Sequence, residues 1–244
     1  MPSLALAHRL IWFAHCPKAG GTSVETAMVA RWGPQVGHLH WGWDLWWMRG
    51  GWREASPPNS PQHLIWEDAL SVLPRAPDDV FALVRDPAQR MASEYRWQRR
   101  GRRGTFLGLA VSYLPFSLWL TLMLALARQN PYAYDNHLRP QTDFIPDGAK
   151  VFYLEDGLAP ALDWLAETAG APPFEATPHQ LSTRAVGTTL RPRDCDRIGW
   201  AFAADYARFG YSNPARTGAL ANWLDRFADA VAPGLAWLEC RGMI

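Results

Sequence analysis

The sequence contains little cysteine: three residues among 244, widely spaced and without a Cys-x-x-Cys pair. This number and spacing of Cys16, Cys195 and Cys240 argue against a disulfide framework and a zinc site, and favour a reducing compartment. The first nine residues also lack the charged and then apolar order of a signal peptide. We therefore expect a cytoplasmic protein that holds no metal.

An excess of charge of either sign is absent as well. The chain has 24 Lys and Arg residues against 23 Asp and Glu, a formal net charge of +1. Charge alone therefore gives no drive toward nucleic acid, and we expect no nucleic-acid partner. Internal repeats and low-complexity tracts are lacking too. With 48% hydrophobic residues, a chain of this length can bury its core within one domain.

What the sequence does contain is a stretch with the features of an anion-binding loop. The apolar residues 10–14 predict a buried strand, and a helical pattern begins at Thr22. Between them lie the residues that favour a tight loop: Pro17, Gly20 and Gly21. The first N–H groups of a helix and the positive end of its dipole bind anions. The stretch therefore predicts a phosphate-binding loop.

The side chains of this loop agree with that interpretation, although they do not form a Walker A motif. Lys18 adds a cation, and Thr22 and Ser23 add hydroxyl donors. In a Walker A loop the lysine follows the glycines and precedes a magnesium-binding hydroxyl. Here Lys18 precedes Gly20 and Gly21. A glycine turn with a solvated lysine is the alternative.

A second junction of the same kind follows at Asp79–Val84, another buried strand. It ends at Arg85, after which Asp86 is a good helix N-cap and Pro87 a good first helical residue. A third strand is predicted at residues 150–154. Two strand-to-helix anion sites are typical of the carboxyl edge of a doubly wound parallel sheet. We therefore predict an α/β domain with a central parallel sheet flanked by helices and a P-loop-like nucleotide site.

Residues 106–127 form an uncharged run of 22 residues, long enough to cross a bilayer. Because Pro115 interrupts it, we favour two packed helices, with peripheral membrane contact beside the arginine-rich residues 96–103 as the alternative. The expected organisation is one domain over 1–244. It includes an apolar helical insertion at 105–130 and a C-terminal helical extension at 212–244.

Several motifs follow one another in an order that resembles a known family. They are Pro17-Lys18-x-Gly20-Gly21-Thr22-Ser23, Arg85-Asp86-Pro87-x-x-Arg90-x-x-Ser93, Asn136-His137-x-Arg139-Pro140-Gln141, Tyr153-Leu154-Glu155-Asp156 and Asp205-Tyr206-x-x-Phe209-Gly210-Tyr211. This order resembles the carbohydrate sulfotransferases that use 3'-phosphoadenosine 5'-phosphosulfate (PAPS), including bacterial members and the heparan sulfate 2-O-sulfotransferases. The first two motifs are specific as a pair, and the later ones are weaker.

The resemblance implies that the chain binds PAPS and releases PAP without a metal. It assigns the 5'-phosphosulfate to the loop residues Lys18, Gly20, Gly21, Thr22 and Ser23. It assigns the 3'-phosphate to Arg85 and Ser93, and a late polar loop with Ser182 and Arg184 to the nucleotide. A guanidinium suits phosphate oxygens, but Arg85 could instead form a structural ion pair, and residues 182–184 a plain surface loop.

Sulfuryl transfer to a hydroxyl needs stabilisation of charge on the leaving phosphate and a base near the acceptor. Lys18 suits the first task. For the base we rank His63 first, because its spacing to Arg85 resembles that of the catalytic histidine in the 2-O-sulfotransferases. The second histidine that those enzymes have is replaced here by Pro61. His137 ranks second, and the other candidates are Glu25, His38, His40 and Glu67.

The acceptor is predicted only as a class, a carbohydrate or a lipid-linked saccharide. Five tryptophans could stack on sugar rings or simply pack a lid: Trp41, Trp43, Trp46, Trp47 and Trp52. Two other functions remain open. A P-loop kinase would need the Gly-Lys-Ser/Thr order that is missing here. A non-catalytic nucleotide- or membrane-binding protein would keep Lys18 and Arg85 but tolerate loss of the histidines.

Overall fold

The computed structural model describes residues 2–37, 60–73, 75–101, 113–175, 190–215 and 223–240. The chain divides into two compact units, Met1–Arg85 with Gln141–Ser182, and Asp86–Pro140 with Thr183–Ile244. The first unit contains a β-sheet, and the described residues of the second are helices and turns. The predicted single domain over 1–244, with its insertion at 105–130 and its extension at 212–244, stays a prediction.

The sheet of the first unit has five strands in the order β3-β1-β2-β4-β5. Their bounds are β1 Ser3–Ala5, β2 Leu10–Ala14, β3 Val36–Gly37, β4 Asp79–Val84 and β5 Lys150–Tyr153. The described helices are α1 Gly21–Trp32, α2 Trp66–Val72, α3 Pro87–Gly101, α4 Phe116–Gln129, α5 Ala159–Thr168, α6 Pro192–Ala201, α7 Ala203–Phe209 and α8 Trp223–Cys240. The predicted α/β class and helix-flanked sheet are confirmed.

The expectation of a parallel sheet is correct for only part of it. β2, β4 and β5 are parallel neighbours, but β1 pairs antiparallel with both β2 and β3. A tight hairpin makes β1 and β2 antiparallel: Leu6 N–H donates to Arg9 O at 2.8 Å, and Arg9 N–H to Leu6 O at 3.4 Å. The sheet is therefore mixed, and its parallel part carries the predicted strand-to-helix junctions.

Burial explains the order of the strands. All five residues of β2 are buried, as expected for a strand with neighbours on both sides. Helix α5 packs on the sheet through Trp164, whose ring lies 5.3 Å from Phe81 of β4 and 6.0 Å from Phe152 of β5. Helix α1 buries Val24 and Met28. These contacts hold the carboxyl end of β2 and the start of α1 in fixed positions.

The second unit has its own hydrophobic core, formed mainly by α3, α4 and α6. Trp119 of α4 is fully buried, and its ring packs 5.2 Å from Tyr95 of α3. Small residues bring α8 close to α4, with Ala125, Ala228 and Ala232 all fully buried in one cluster. The unit therefore has tight helix packing independent of the sheet.

The apolar run that suggested a membrane span is helical only in its second half, as far as the structure describes it. Helix α4 begins after Pro115, which is where the sequence predicted a break. Residues 106–112 lie outside the described residues. Among the residues described, no helix combines the length and the apolar character needed to cross a bilayer.

Candidate functional site

The predicted phosphate-binding loop is a compact turn between β2 and α1. Cys16 N–H donates to Ala14 O at 3.1 Å, and Ala19 N–H donates to Cys16 O at 3.3 Å. Lys18 has a φ of 67° and Gly20 a φ of 90°, so both lie in the left-handed region. Glycine adopts this conformation without strain, whereas for lysine it is uncommon. The loop thus keeps Lys18 in an unfavourable backbone conformation directly before α1.

The start of α1 offers backbone donors to an anion. The helix begins at Gly21, its N-cap Gly20 provides no side-chain cap, and its first turn has no acidic residue. The first N–H groups of a helix have no acceptor within it and carry its positive dipole end. Thr22 is exposed and Ser23 half-buried. These donors suit a phosphate or sulfate group chemically, and the phosphate-binding role of the loop stays a prediction.

Arg85 lies beside this loop. Because β2 and β4 are parallel neighbours, their carboxyl ends meet at one edge of the sheet. Arg85 Nη1 donates to the carbonyl of Lys18 at 3.4 Å. The buried side chain of Gln141 fixes the arginine's backbone, accepting from Arg85 N at 2.9 Å and donating to Arg85 O at 2.9 Å. This bracing role of Gln141 was not predicted, although Gln141 ends one of the quoted motifs.

A buried network under the loop contains a histidine that the sequence analysis did not consider. His15 Nδ1 donates to Glu25 Oε1 at 2.9 Å, and Gln62 Nε2 donates to Glu25 Oε2 at 3.1 Å. His63 packs edge-on against His15 with ring centroids 5.0 Å apart. The one available signal was the position of His15 between the apolar strand and the glycine loop. The side chains of His15, Glu25, Gln62 and His63 thus form one connected group next to the loop.

The ionisation of Glu25 follows from this network. Burial by itself raises the pKa of Glu25, but the charge of His15 and its hydrogen bond outweigh burial, so the pKa lies below its ordinary value. His63 is nearly buried and ends a 3-10 turn, Pro61–His63. The first-ranked base therefore lies within a network around a charged carboxylate.

Gly21 is required by the same network. A Cβ atom on Gly21 would lie 1.9 Å from His15 Nε2, closer than any real Cβ contact. A Cβ atom on Gly20 would lie 2.8 Å from Leu154 Cδ1 and would also meet a positive φ. The two positions thus require glycine for different reasons. Gly21 packs closely against the imidazole of His15, and Gly20 has a left-handed backbone conformation.

In the second unit, Asp86 caps α3 as predicted, because its Oδ1 accepts from Gln89 N at 2.8 Å. Ser93 lies on α3 and is nearly buried; its role in binding the 3'-phosphate stays a prediction. Arg90, which belongs to the same motif as Arg85 and Ser93, is fully buried. It donates to the carbonyls of His137 at 3.2 Å and Arg139 at 2.6 Å, so its role is structural.

His137 follows an unusual turn. Tyr134, Asp135 and Asn136 have φ values of 52°, 57° and 65°, three successive left-handed residues with side chains. This conformation costs about 1–2 kcal/mol for a residue such as tyrosine and is better tolerated by Asp and Asn. His137 Nδ1 lies 2.7 Å from Glu94 Oε2, with both side chains buried. The strained turn at 134–136 therefore directly precedes His137, the second-ranked base candidate, whose imidazole contacts the carboxylate of Glu94.

Other predicted site residues lie outside the described residues. They are Ser182 and Arg184 of the late polar loop, His38 and His40 among the base candidates, and the five tryptophans from Trp41 to Trp52. Their assignments stay predictions.

The chain was compared with protein-family models, with curated proteins and with solved structures. None of the three comparisons found a match. The functional assignment depends on the motifs and on the geometry described above.

Proposed function

We propose that the chain is a PAPS-dependent sulfotransferase that transfers a sulfonate to a hydroxyl of a carbohydrate or a lipid-linked saccharide. The observation that supports this most is the hydrogen bond between Arg85 Nη1 and the carbonyl of Lys18. It brings two strand-to-helix junctions together, each with a cationic residue. A nucleotide that carries phosphates at both ends needs two such points. The reaction type comes from the resemblance of the motifs.

The loop residues fit a phosphosulfate group chemically. Lys18 provides a cation and the start of α1 provides N–H donors, while the first turn of α1 has no carboxylate to repel an anion. The glycines at 20 and 21 let the loop pack closely against Leu154 and His15. Positive charge is thus supplied by the chain itself, and we propose that no metal takes part.

Bound PAPS would supply the sulfonate: the acceptor oxygen bonds to sulfur as the bond from sulfur to the bridging phosphate oxygen breaks, leaving its electron pair on PAP. Lys18 and the N–H groups of Gly21 and Thr22 would stabilise the charge that develops on that phosphate, whereas the N–H of Ser23 donates to Gly20 O at 3.1 Å. A histidine nitrogen would take the proton of the attacking hydroxyl. His63 is our first candidate for this base and His137 the second.

The proposal can be tested by measuring which nucleotides raise the melting temperature of the protein. We expect PAP to stabilise the protein without magnesium, by about 2.7 kcal/mol at a hundredfold excess over its dissociation constant. ATP and GTP should give smaller shifts with or without magnesium. A shift that requires ATP and magnesium would instead favour the P-loop kinase, and no shift at millimolar PAP would contradict the proposal.

Turnover separates the enzyme from a non-catalytic nucleotide-binding protein. Transfer of labelled sulfonate from PAPS to a pool of oligosaccharides should be measurable with the wild-type protein. If PAP binds but no transfer is seen, and loss of the histidines changes nothing, the chain is a binding protein on this fold.

A further inference from the structure

A line of buried polar side chains in the second unit ends at His137. Trp119 Nε1 donates to Gln98 Oε1 at 2.9 Å, and Gln98 Nε2 donates to Glu94 Oε1 at 2.8 Å. The other oxygen of Glu94 lies 2.7 Å from His137 Nδ1. Glu94 is fully buried, where a carboxylate is costly unless it is hydrogen-bonded. The line therefore fixes the carboxylate, and the carboxylate fixes the imidazole.

The contact with Glu94 determines which nitrogen of His137 carries the proton. An ionised carboxylate only accepts hydrogen bonds, so Nδ1 must donate. In the neutral ring Nε2 then holds the lone pair and can accept a hydrogen bond from a hydroxyl. By accepting the hydrogen bond from Nδ1, Glu94 favours the tautomer of His137 in which Nε2 can accept a hydrogen bond.

The backbone around His137 is held by equally specific contacts. The left-handed turn at 134–136 precedes it, and Arg90 donates to the carbonyls on both sides of Leu138. Arg139 Nε donates to Asn136 Oδ1 at 3.1 Å. Strained backbone persists only where surrounding contacts enforce it, and it is concentrated at functional sites. This much support for one imidazole points to a function for His137.

Trp97 supplies the exposed part of this cluster. Its ring lies 5.0 Å from the ring of His137 at an interplanar angle of 33°. The tryptophan is 41% exposed, whereas His137 is nearly buried. An accessible indole stacks on the C–H face of a pyranose, and a neighbouring acceptor takes a hydroxyl hydrogen bond. The pair thus offers both kinds of contact that a sugar needs.

We propose that Trp97 and His137 form a sugar-binding site in the second unit, with Glu94 as the residue that positions His137. Trp97 stacks on a pyranose ring, and His137 Nε2 accepts a hydrogen bond from one of its hydroxyls. The inference goes beyond the proposed function, because it concerns a saccharide site formed within the second unit alone.

Binding of defined oligosaccharides tests the site. The probes are chitotetraose, which is neutral, and a heparan-type tetrasaccharide, which carries carboxylates. Binding is measured by NMR through the indole N–H resonance of Trp97. At least one of the two probes should shift this resonance in a saturable way. Trp97→Ala should weaken binding about tenfold, and Trp97→Phe should retain part of the affinity.

Trp200 provides a matched control, because it is a 54% exposed tryptophan on α6 of the same unit. Trp200→Ala should leave saccharide binding unchanged. Equal losses in Trp97→Ala and Trp200→Ala would overturn the proposal, as would the absence of a saturable shift with both probes.

A second readout concerns Glu94 and is independent of any ligand. Nitrogen-15 spectra of the neutral His137 ring should show the proton on Nδ1 in the wild-type protein. Glu94→Gln should reduce that preference and weaken saccharide binding while the protein stays folded. A wild-type ring protonated on Nε2 would overturn the positioning role.

The outcomes separate this site from the proposed function. If PAP binds but no saccharide does, the site is refuted and the nucleotide assignment stands. If a saccharide binds through Trp97 but PAP does not bind, the sulfotransferase assignment fails and the sugar site stands.

Discussion

At the scale of single residues, the chain has two lysines, Lys18 and Lys150. Lys18 is in the loop at the carboxyl end of β2, whereas Lys150 begins β5 and is exposed. In a parallel pair of strands these positions belong to opposite edges of the sheet. The two lysines therefore form a matched pair for testing the anion site.

Lys18→Ala should weaken PAP binding about 10- to 100-fold, because a charge-assisted hydrogen bond is worth about 1.5–3 kcal/mol. Isothermal titration with PAP measures the loss. Lys150→Ala, the control, should bind PAP like the wild type. Equal affinities of the two variants would remove Lys18 from the site.

His63→Ala should leave PAP binding intact while sulfonate transfer collapses, since a general base contributes about 10²–10⁴-fold to the rate. The two measurements are PAP titration and initial rates with labelled PAPS. Unchanged turnover would exclude His63 as the base. His137 would then be the remaining candidate among the described histidines named by the sequence.

At the scale of elements, the close approach of α1 to His15 predicts a steric effect. Gly21→Ala should destabilise the protein by about 1–3 kcal/mol, because the new methyl group must displace a buried imidazole. Urea unfolding measures the change. Gly234→Ala in α8, where a Cβ would meet no atom within 4 Å, should be neutral or slightly stabilising.

A double variant makes this prediction sharper. If the clash with His15 is the cause, adding His15→Ala to Gly21→Ala should destabilise less than the sum of the two single changes. Strict additivity would show that Gly21 is needed for another reason.

Asp78 joins the entry of β4 to the start of β2 and predicts a pH dependence. Hydrogen bonds from Arg75 and from the backbone N–H of Leu10 lower the pKa of Asp78 from 3.8 to about 2. A depressed pKa in the folded state means that the stabilisation is complete above the ordinary value and is lost as the pH falls. The folded state should therefore lose this contribution between about pH 4 and pH 2.

Acid unfolding of Asp78→Asn measures this effect. The difference in the free energy of unfolding from the wild type should be constant above about pH 5 and shrink toward pH 2. Asp163→Asn makes the same change at an exposed residue of α5 and is the control. A difference that grows on acidification would contradict the assignment.

The elements differ in how far the sequence predicts them. β4 was predicted with both of its bounds, since the five apolar residues 80–84 follow Asp79 and precede the turn residues Asp86 and Pro87. β1 was missed because three residues are too few for a periodic pattern, and its hairpin turn contains Ala7 and His8 instead of glycine or asparagine. A short strand of this kind is specified by its partners β2 and β3, which local patterns do not report.

The candidate site shows the same division. The glycines and Lys18 could be predicted because a phosphate-binding loop has local chemistry. The contacts of Glu25 with His15 and Gln62 join residues 10 and 37 positions apart, and the pairing of Glu94 with His137 spans 43. Such contacts depend on the tertiary fold, so the sequence indicated candidate histidines but not their carboxylate partners.

At the scale of the whole molecule, a lipid-linked acceptor would require contact with a membrane surface. The arginine-rich residues 96–103 next to the apolar run suggest binding to anionic lipid. We expect the purified protein to sediment with liposomes that contain anionic lipid, and less so at high salt. Neutral liposomes are the control. No sedimentation with either would restrict the proposed acceptor to carbohydrates without a lipid.

The left-handed turn at Tyr134, Asp135 and Asn136 affects how substitutions at these positions would change the stability of the protein. Glycine at 135 would remove one unfavourable φ and could raise the melting temperature, yet it would also free the backbone that orients His137. A substitution that relieves this strain would therefore also loosen the position of His137.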